Sequence, residues 1–200
     1  MTDQSHRYQL IAIGASAGGL NAVCHLIRNL PADFEIPIAV VQHRAKESEA
    51  LAEILQECTT LRVVEVEDKQ PLEGRTVYIA PPDYHLLIDE GVFALSTEGL
   101  VLYSRPSIDV FFDSAADAYG AGVIGVVLTG ANSDGTKGLA RIVARGGKAL
   151  VQDPQTAEVK VMPLSAQQGV SRALVLNLDQ IANHLMQLER LQRQQVARQA

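Results

Sequence analysis

Several short runs of this chain are apolar at nearly every position: LIAI from Leu10, IAVV from Ile38, VIGVVL from Val123 and ALV from Ala149. A strand with one face in water alternates apolar and polar residues. A run apolar on both parities therefore needs cover on both faces. Between these runs lie stretches with apolar residues at helical spacing, such as LNAVCHLI after Gly19. The alternation is that of an α/β domain, doubly wound, with a mainly parallel sheet and helices on both faces. Strands are expected at 9–14, 38–43, 62–66, 76–81, 123–130, 148–153 and 173–177. Helices are expected at 18–29, 47–57, 107–119, 135–145, 163–168 and from 178 to about 192. Between 76 and 104, Pro-Pro-Asp, Asp-Glu-Gly and Thr-Glu-Gly turns leave no room for helices, which predicts an antiparallel hairpin region at one edge.

Two hundred residues suit a single domain, 1–200, with its core at about 9–188. The apolar spacing of Leu178, Ile181, Leu185 and Leu188 stops there, so 189–200 is expected to be a helix end or frayed tail. A net charge of −6 and the lack of tryptophan argue against a nucleic-acid surface, which needs a basic stripe and stacking platforms. The N-terminus has no signal-peptide core, and the longest apolar stretch, Ala121 to Ala131, is too short to span a bilayer. Cys24 and Cys58 sit in no CxxC pair and have no histidine at metal-ligand spacing. Each is expected to be a buried apolar residue of a reduced, cytoplasmic protein.

In an open parallel sheet, ligands bind beyond the carboxyl ends of the strands. Ser16 follows the first strand, His43 ends the second, and Asp134 lies in the loop TGANSDGTKG after a later one. Hydroxyl, imidazole and carboxylate at three strand ends are the makings of nucleophile, general base and orienting acid. A serine hydroxyl attacks poorly until a base takes its proton, and imidazole, with an unperturbed pKa of about 6.5, suits that task near neutrality. The carboxylate holds the tautomer and stabilises the imidazolium. The amides of Ala17 and Gly18, at the positive end of the next helix, are candidates for binding an oxyanion, with Gly130 and Ala131 of the second loop as further candidates. Each residue also has a plainer use: Ser16 as a helix N-cap, His43 as a core histidine bonded to a carbonyl, Asp134 as a cap for the following helix.

Other assignments fit less well. GASAG matches G-x-S-x-G, but an α/β-hydrolase runs serine, acid, histidine, and its elbow follows several strands. A dinucleotide fingerprint would need glycine at Ser16 and an acid ending the second strand, whereas Asp33 precedes that strand. No Walker loop is present. His85, near Asp83 and Asp89, has no second histidine to make a metal site and reads as surface or structural. Pro106, Ser107 and Asp109 read as a helix start, with Arg105 solvated.

Taken with these residues, the stretches IGASAGG, VVQH, LAEIL, VYIAPPDYHLL, RPSIDVFFDSAA, GVVLTGANSDGTKGL and GGKALVQDPQTAEVKVMP resemble, in order, the catalytic domain of the bacterial chemotaxis protein-glutamate methylesterases. The resemblance runs from about Gln9 to Leu188. It implies Ser16 as nucleophile, His43 as base and Asp134 as the third member. It also implies hydrolysis of γ-glutamyl methyl esters on the cytoplasmic helices of methyl-accepting chemoreceptors, possible deamidation of receptor glutamines, and no cofactor. The chain departs from the family pattern at Ala17, at Arg44-Ala45-Lys46 and at Gly130-Ala131-Asn132. These differences bear on pocket lining and rate more than on reaction class. A binding module of the same fold without catalysis, or a nucleotide-binding domain, is the alternative. Many family members carry a phosphorylatable receiver domain. The short arm before Gln9 is too small for one, so activity independent of the chain's own phosphorylation is expected.

Overall fold

The computed structural model describes residues 7–43 and 51–199. Seven strands form one sheet: β1 (Leu10–Ala15), β2 (Ile38–Gln42), β3 (Arg62–Glu65), β4 (Thr76–Ile79), β7 (Val123–Val127), β8 (Lys148–Gln152) and β9 (Leu174–Leu176). Their order is β3-β4-β2-β1-β7-β8-β9, and every pairing is parallel. After β1 the chain winds outward through β2, then crosses to β7 and winds out on the other side. The direction reverses at β1, so the crevice beside β1 is the ligand-binding position of such a sheet.

The doubly apolar strands are covered as their sequence requires. Ile11, Ile13 and Val40 face a core layer that includes Leu26, Ile27, Ile181 and Leu185, from α1 (Gly19–Arg28) and α6 (Leu178–Gln199). The α2 helix (Leu51–Gln56) lies on this side too, through Leu51 and Leu55. Leu10, Ala12 and Val41 face the other layer, with Phe111, Phe112, Leu139 and Met162 from α3 (Ile108–Tyr119), α4 (Thr136–Ala144) and α5 (Val161–Gly169). Residues one apart thus enter opposite cores, which follows from the period of two along a strand.

The hairpin is present as a sheet of its own, β5 (His85–Asp89) paired antiparallel with β6 (Val92–Ser96). It is narrower than the expected region because Thr76–Ile79 joins the parallel sheet instead. Leu86 and Phe93 pack into the α3 layer, and the Phe93 ring lies 4.7 Å from that of Tyr78 on β4. The described residues contain no helix long and apolar enough to cross a membrane.

The helix expected over 47–57 is present at Leu51–Gln56, and 47–50 of that expectation lie outside the described residues. Two local expectations are corrected. The α6 helix does not stop near 192 but continues to Gln199. Polar contacts hold it where the apolar stripe ends: Gln192 accepts from the Tyr8 amide at 2.6 Å, Arg193 pairs with Asp33 at 2.8 Å, and Glu189 accepts from the Glu35 amide. Cys24 and Cys58 are not two separate apolar residues. They form a disulfide with Cα atoms 5.5 Å apart, because α1 and α2 are neighbours on one face of the sheet. Spacing along the chain carries no sign of that neighbourhood.

Candidate active site

Parallel register brings the first two candidates together. Ala15 of β1 pairs with Gln42 of β2, and the amide of His43 donates to the carbonyl of Ala15 at 3.0 Å. Ser16 and His43 are the next residues on strands about 4.8 Å apart. Thr129, just past β7, accepts from the Ser16 amide through its carbonyl at 2.9 Å. Its hydroxyl donates to the carbonyl of Ala17 at 2.8 Å and accepts from the Val159 amide at 2.9 Å. This buried threonine ties the Ser16 turn to the loops after β7 and β8. Gln42 adds a second tie, its Nε2 donating to the Ser16 carbonyl at 2.6 Å.

The plainer use of Ser16 does not occur. The N-cap of α1 is Gly18, at φ 76, and no side chain caps that helix. The left-handed turn at Gly18 is one that a side chain would strain. Among the described residues the amides of Ala17 and Gly18 donate to no protein acceptor, while those of Ser16 and Gly19 on either side are engaged. The pair lies at the positive end of α1, with Ala17 exposed and Gly18 half-buried. The Glu158 side chain lies against Gly18. Gly130 differs: its amide donates to the Val159 carbonyl at 3.0 Å and its carbonyl accepts from Met162 at 2.9 Å, so it offers no free donor. Ala131 is exposed beside it.

Asp134 is fully buried and meets His43 directly, His43 Nε2 lying 2.8 Å from Asp134 Oδ2. A carboxylate only accepts, so Nε2 carries a proton, and in the neutral imidazole that leaves Nδ1 as the lone-pair nitrogen. Asp134 does cap a helix, though not the one that follows it. The α4 N-cap is Gly135, without a side-chain cap. The Asp134 carboxylate instead enters the first turn of α3. It accepts from Ile108 N at 2.7 Å, Asp109 N at 3.0 Å, the Ser107 hydroxyl at 2.9 Å and its neighbour Gly135 N at 3.0 Å. Gly135 sits at φ 92, and a Cβ there would come within 2.6 Å of Ile108, so glycine lets the loop approach α3. Burial pushes the Asp134 pKa up, but the His43 hydrogen bond, the Asp109 and Ile108 amides and the His43 charge outweigh it and hold the carboxyl below its ordinary value. Asp109 goes the other way. Burial raises it, the nearby Asp134 charge adds to that, and its bond from the Gly138 amide at 2.8 Å offsets only part.

Behind Asp134 stands a polar chain that the sequence pattern did not reveal. The Ser107 amide donates to His85 Nδ1 at 3.2 Å, and His85 Nε2 donates to the Gly99 carbonyl at 3.0 Å. His85 is 2% exposed with both nitrogens used, which makes it structural. Arg105 is not solvated as expected. It pairs with Asp83 at 2.6 Å and donates to the carbonyls of Thr97 and Glu98 at 2.8 and 2.9 Å, holding the hairpin to the start of α3. The sequence signal for Ser107 was its place at a helix start. For Thr129 and Gln42 the only signal was adjacency to Gly130 and His43. Arg44, Ala45 and Lys46 lie outside the described residues.

The family model for CheB methylesterase matches residues 11–185. A Leptospira interrogans protein provisionally named protein-glutamate methylesterase/protein-glutamine glutaminase is 45% identical over 184 residues, which cover 91% of this chain and 95% of that protein. The protein-glutamate methylesterase FrzG of Myxococcus xanthus is 41% identical over 182 residues, 90% of this chain and 54% of FrzG. The crystal structure of the Thermotoga maritima CheB methylesterase catalytic domain superposes with a TM-score of 0.84 at 35% identity, covering 90% of this chain and 98% of that one.

Proposed function

The chain belongs to the CheB methylesterase family, and from that premise we propose that it is a serine esterase that removes methyl groups from esterified glutamates of chemoreceptors and deamidates receptor glutamines, with Ser16, His43 and Asp134 as its catalytic residues. The observation that carries the residue roles is the 2.8 Å contact between His43 and a fully buried Asp134, at the strand end next to Ser16.

With Nε2 bound to Asp134, the base is His43 Nδ1. It takes the Ser16 proton as Oγ attacks the ester carbonyl. The developing oxyanion is met by the amides of Ala17 and Gly18, which have no acceptor among the described residues and stand at a helix N-terminus. Collapse of the tetrahedral intermediate expels methanol, protonated by the His43 imidazolium. Water then enters, His43 takes its proton, and the acyl-Ser16 ester is cleaved to the free glutamate. For a glutamine the leaving group is ammonia. The ionised Asp134 stabilises the imidazolium at both steps. Gly130, whose amide is engaged, shapes the crevice rather than donating to the oxyanion. The substrate is a helical segment of a cytoplasmic receptor domain, and the protein acts in that compartment.

Methanol release from methylated receptor tests the reading. Ser16→Ala should lose at least about 10³-fold in rate while keeping its circular dichroism spectrum. A folded Ser16→Ala protein with near-normal turnover removes Ser16 from its role.

A further inference from the structure

The α1 helix carries Cys24 and, one turn on, Arg28. Cys58 follows α2 and is joined to Cys24. Arg28 Nη2 lies 3.4 Å from Cys24 Sγ and 3.9 Å from Cys58 Sγ. Both cysteines are partly exposed. We propose that Cys24 and Cys58 are a reversible thiol–disulfide exchange site, with Cys24 as the attacking sulfur.

Three observations converge on this. A guanidinium beside a sulfur favours the thiolate, which is the form that attacks a disulfide. Arg28 stands closer to Cys24, so on reduction Cys24 is the sulfur nearer the cation. Cys58 Sγ lies 3.5 Å from the Ile54 carbonyl, placed to donate to it as a thiol and so to keep its proton until the second step. Both cysteines keep part of their surface open to solvent, and exposed disulfides are the exchangeable ones. In oxidation by a low-molecular-weight disulfide, the Cys24 thiolate attacks one of its sulfurs, forming a mixed disulfide and expelling one small thiolate. Cys58 then gives up its proton and attacks Cys24 Sγ, forming the Cys24–Cys58 bond and releasing the second small thiol. The protein loses two electrons and the small disulfide gains them. Excess small thiol drives the same steps backwards.

The bond closes a segment of the chain spanning 34 residues, with β2, His43 and α2 inside it. β2 is paired on both sides, with β1 and β4, so the place of His43 does not depend on the link. What the link constrains is the helical layer and, above all, the unfolded chain. Oxidation should therefore raise the melting temperature, by about 10 °C for a loop and a chain of these sizes. Turnover at ambient temperature should agree within about twofold between the two forms, since their catalytic groups are held alike.

The test is intact-protein mass spectrometry after incubation of the folded protein with glutathione disulfide or reduced glutathione, trapping free thiols with an alkylating reagent. Two thiols should appear and disappear reversibly without unfolding. A disulfide that survives millimolar reduced glutathione until the protein is melted overturns the proposal. In the Cys58→Ser background, Arg28→Gln should slow iodoacetamide labelling of Cys24 by about fivefold or more at neutral pH, with the fold checked by melting temperature. Unchanged labelling overturns the assignment of Cys24 as the attacking sulfur. Neither outcome depends on the esterase activity.

Discussion

Asp134 concentrates the energetics of the site in one carboxylate. It is fully buried, and its charge survives because four donors besides His43 converge on it. Asp134→Asn is expected to slow ester hydrolysis by about 10⁴-fold, since an amide no longer enforces one imidazole tautomer or offsets the imidazolium charge. The same group ties stability to pH. Its folded pKa lies below the ordinary value, so the unfolded chain takes up the proton first on acidification. The stabilisation is complete above the unfolded value of about 3.9 and is lost as pH falls through the folded value. Urea unfolding of wild type and Asp134→Asn should therefore show a stability gap that is constant from pH 5 to 7 and narrows below pH ~4. A gap that widens on acidification contradicts the assignment.

At the scale of elements, the N-terminus of α3 organises the candidate site although none of its residues belongs to the proposed triad. Ser107 is its N-cap, accepting from the Val110 amide and donating its hydroxyl proton to Asp134. An anion at this end also gains from the helix dipole. Ser107→Ala removes both bonds. Loss of the cap should cost about 1 kcal/mol of stability. For a chain of this length that is a fall of roughly 3 °C in melting temperature. The rate should fall too, with KM unchanged, because the bond lost holds the acid and not the substrate. Ser107→Thr retains a hydroxyl and should recover most of both effects. A rate loss that Thr leaves unrepaired, or one confined to KM, would assign Ser107 to substrate contact instead.

For the whole molecule, the winding order sets where rigidity lies. β1 and β7 are buried at every residue and are flanked on both sides, whereas β3 and β9 at the two sheet edges are partly open to solvent. Amides of β1, β2 and β7 should exchange with deuterium only through global unfolding, and those of β3 and β9 through cheaper local opening. Ser16 and His43 follow β1 and β2, and the loop bearing Asp134 follows β7, so the proposed reacting groups stand at the ends of the strands expected to open least. Rapid exchange in β1 or β7, at the rate seen in β9, would remove that explanation of how the site is held.

The strands, the helices and the two-faced core were legible in the sequence because they depend on local periodicity. Runs such as VIGVV cannot be satisfied without cover on both sides, and the glycines of GASAGG mark the passage from strand to helix. Order along the chain also marked Ser16, His43 and Asp134 as strand-end residues, and the rule that ligands bind at those ends made them candidates. What sequence spacing could not decide was which surfaces meet. The hairpin at 85–96 became a separate sheet on the α3 side because Leu86 and Phe93 found that layer. Asp134 became the cap of a helix that starts 26 residues earlier in the chain. His43 turned Nε2 rather than Nδ1 to its acid. Cys24 and Cys58, read as two solitary apolar residues, became one bond because α1 and α2 lie side by side. Periodicity reports which side of an element seeks cover, whereas contacts between elements far apart in the chain exist only once the sheet order has been chosen.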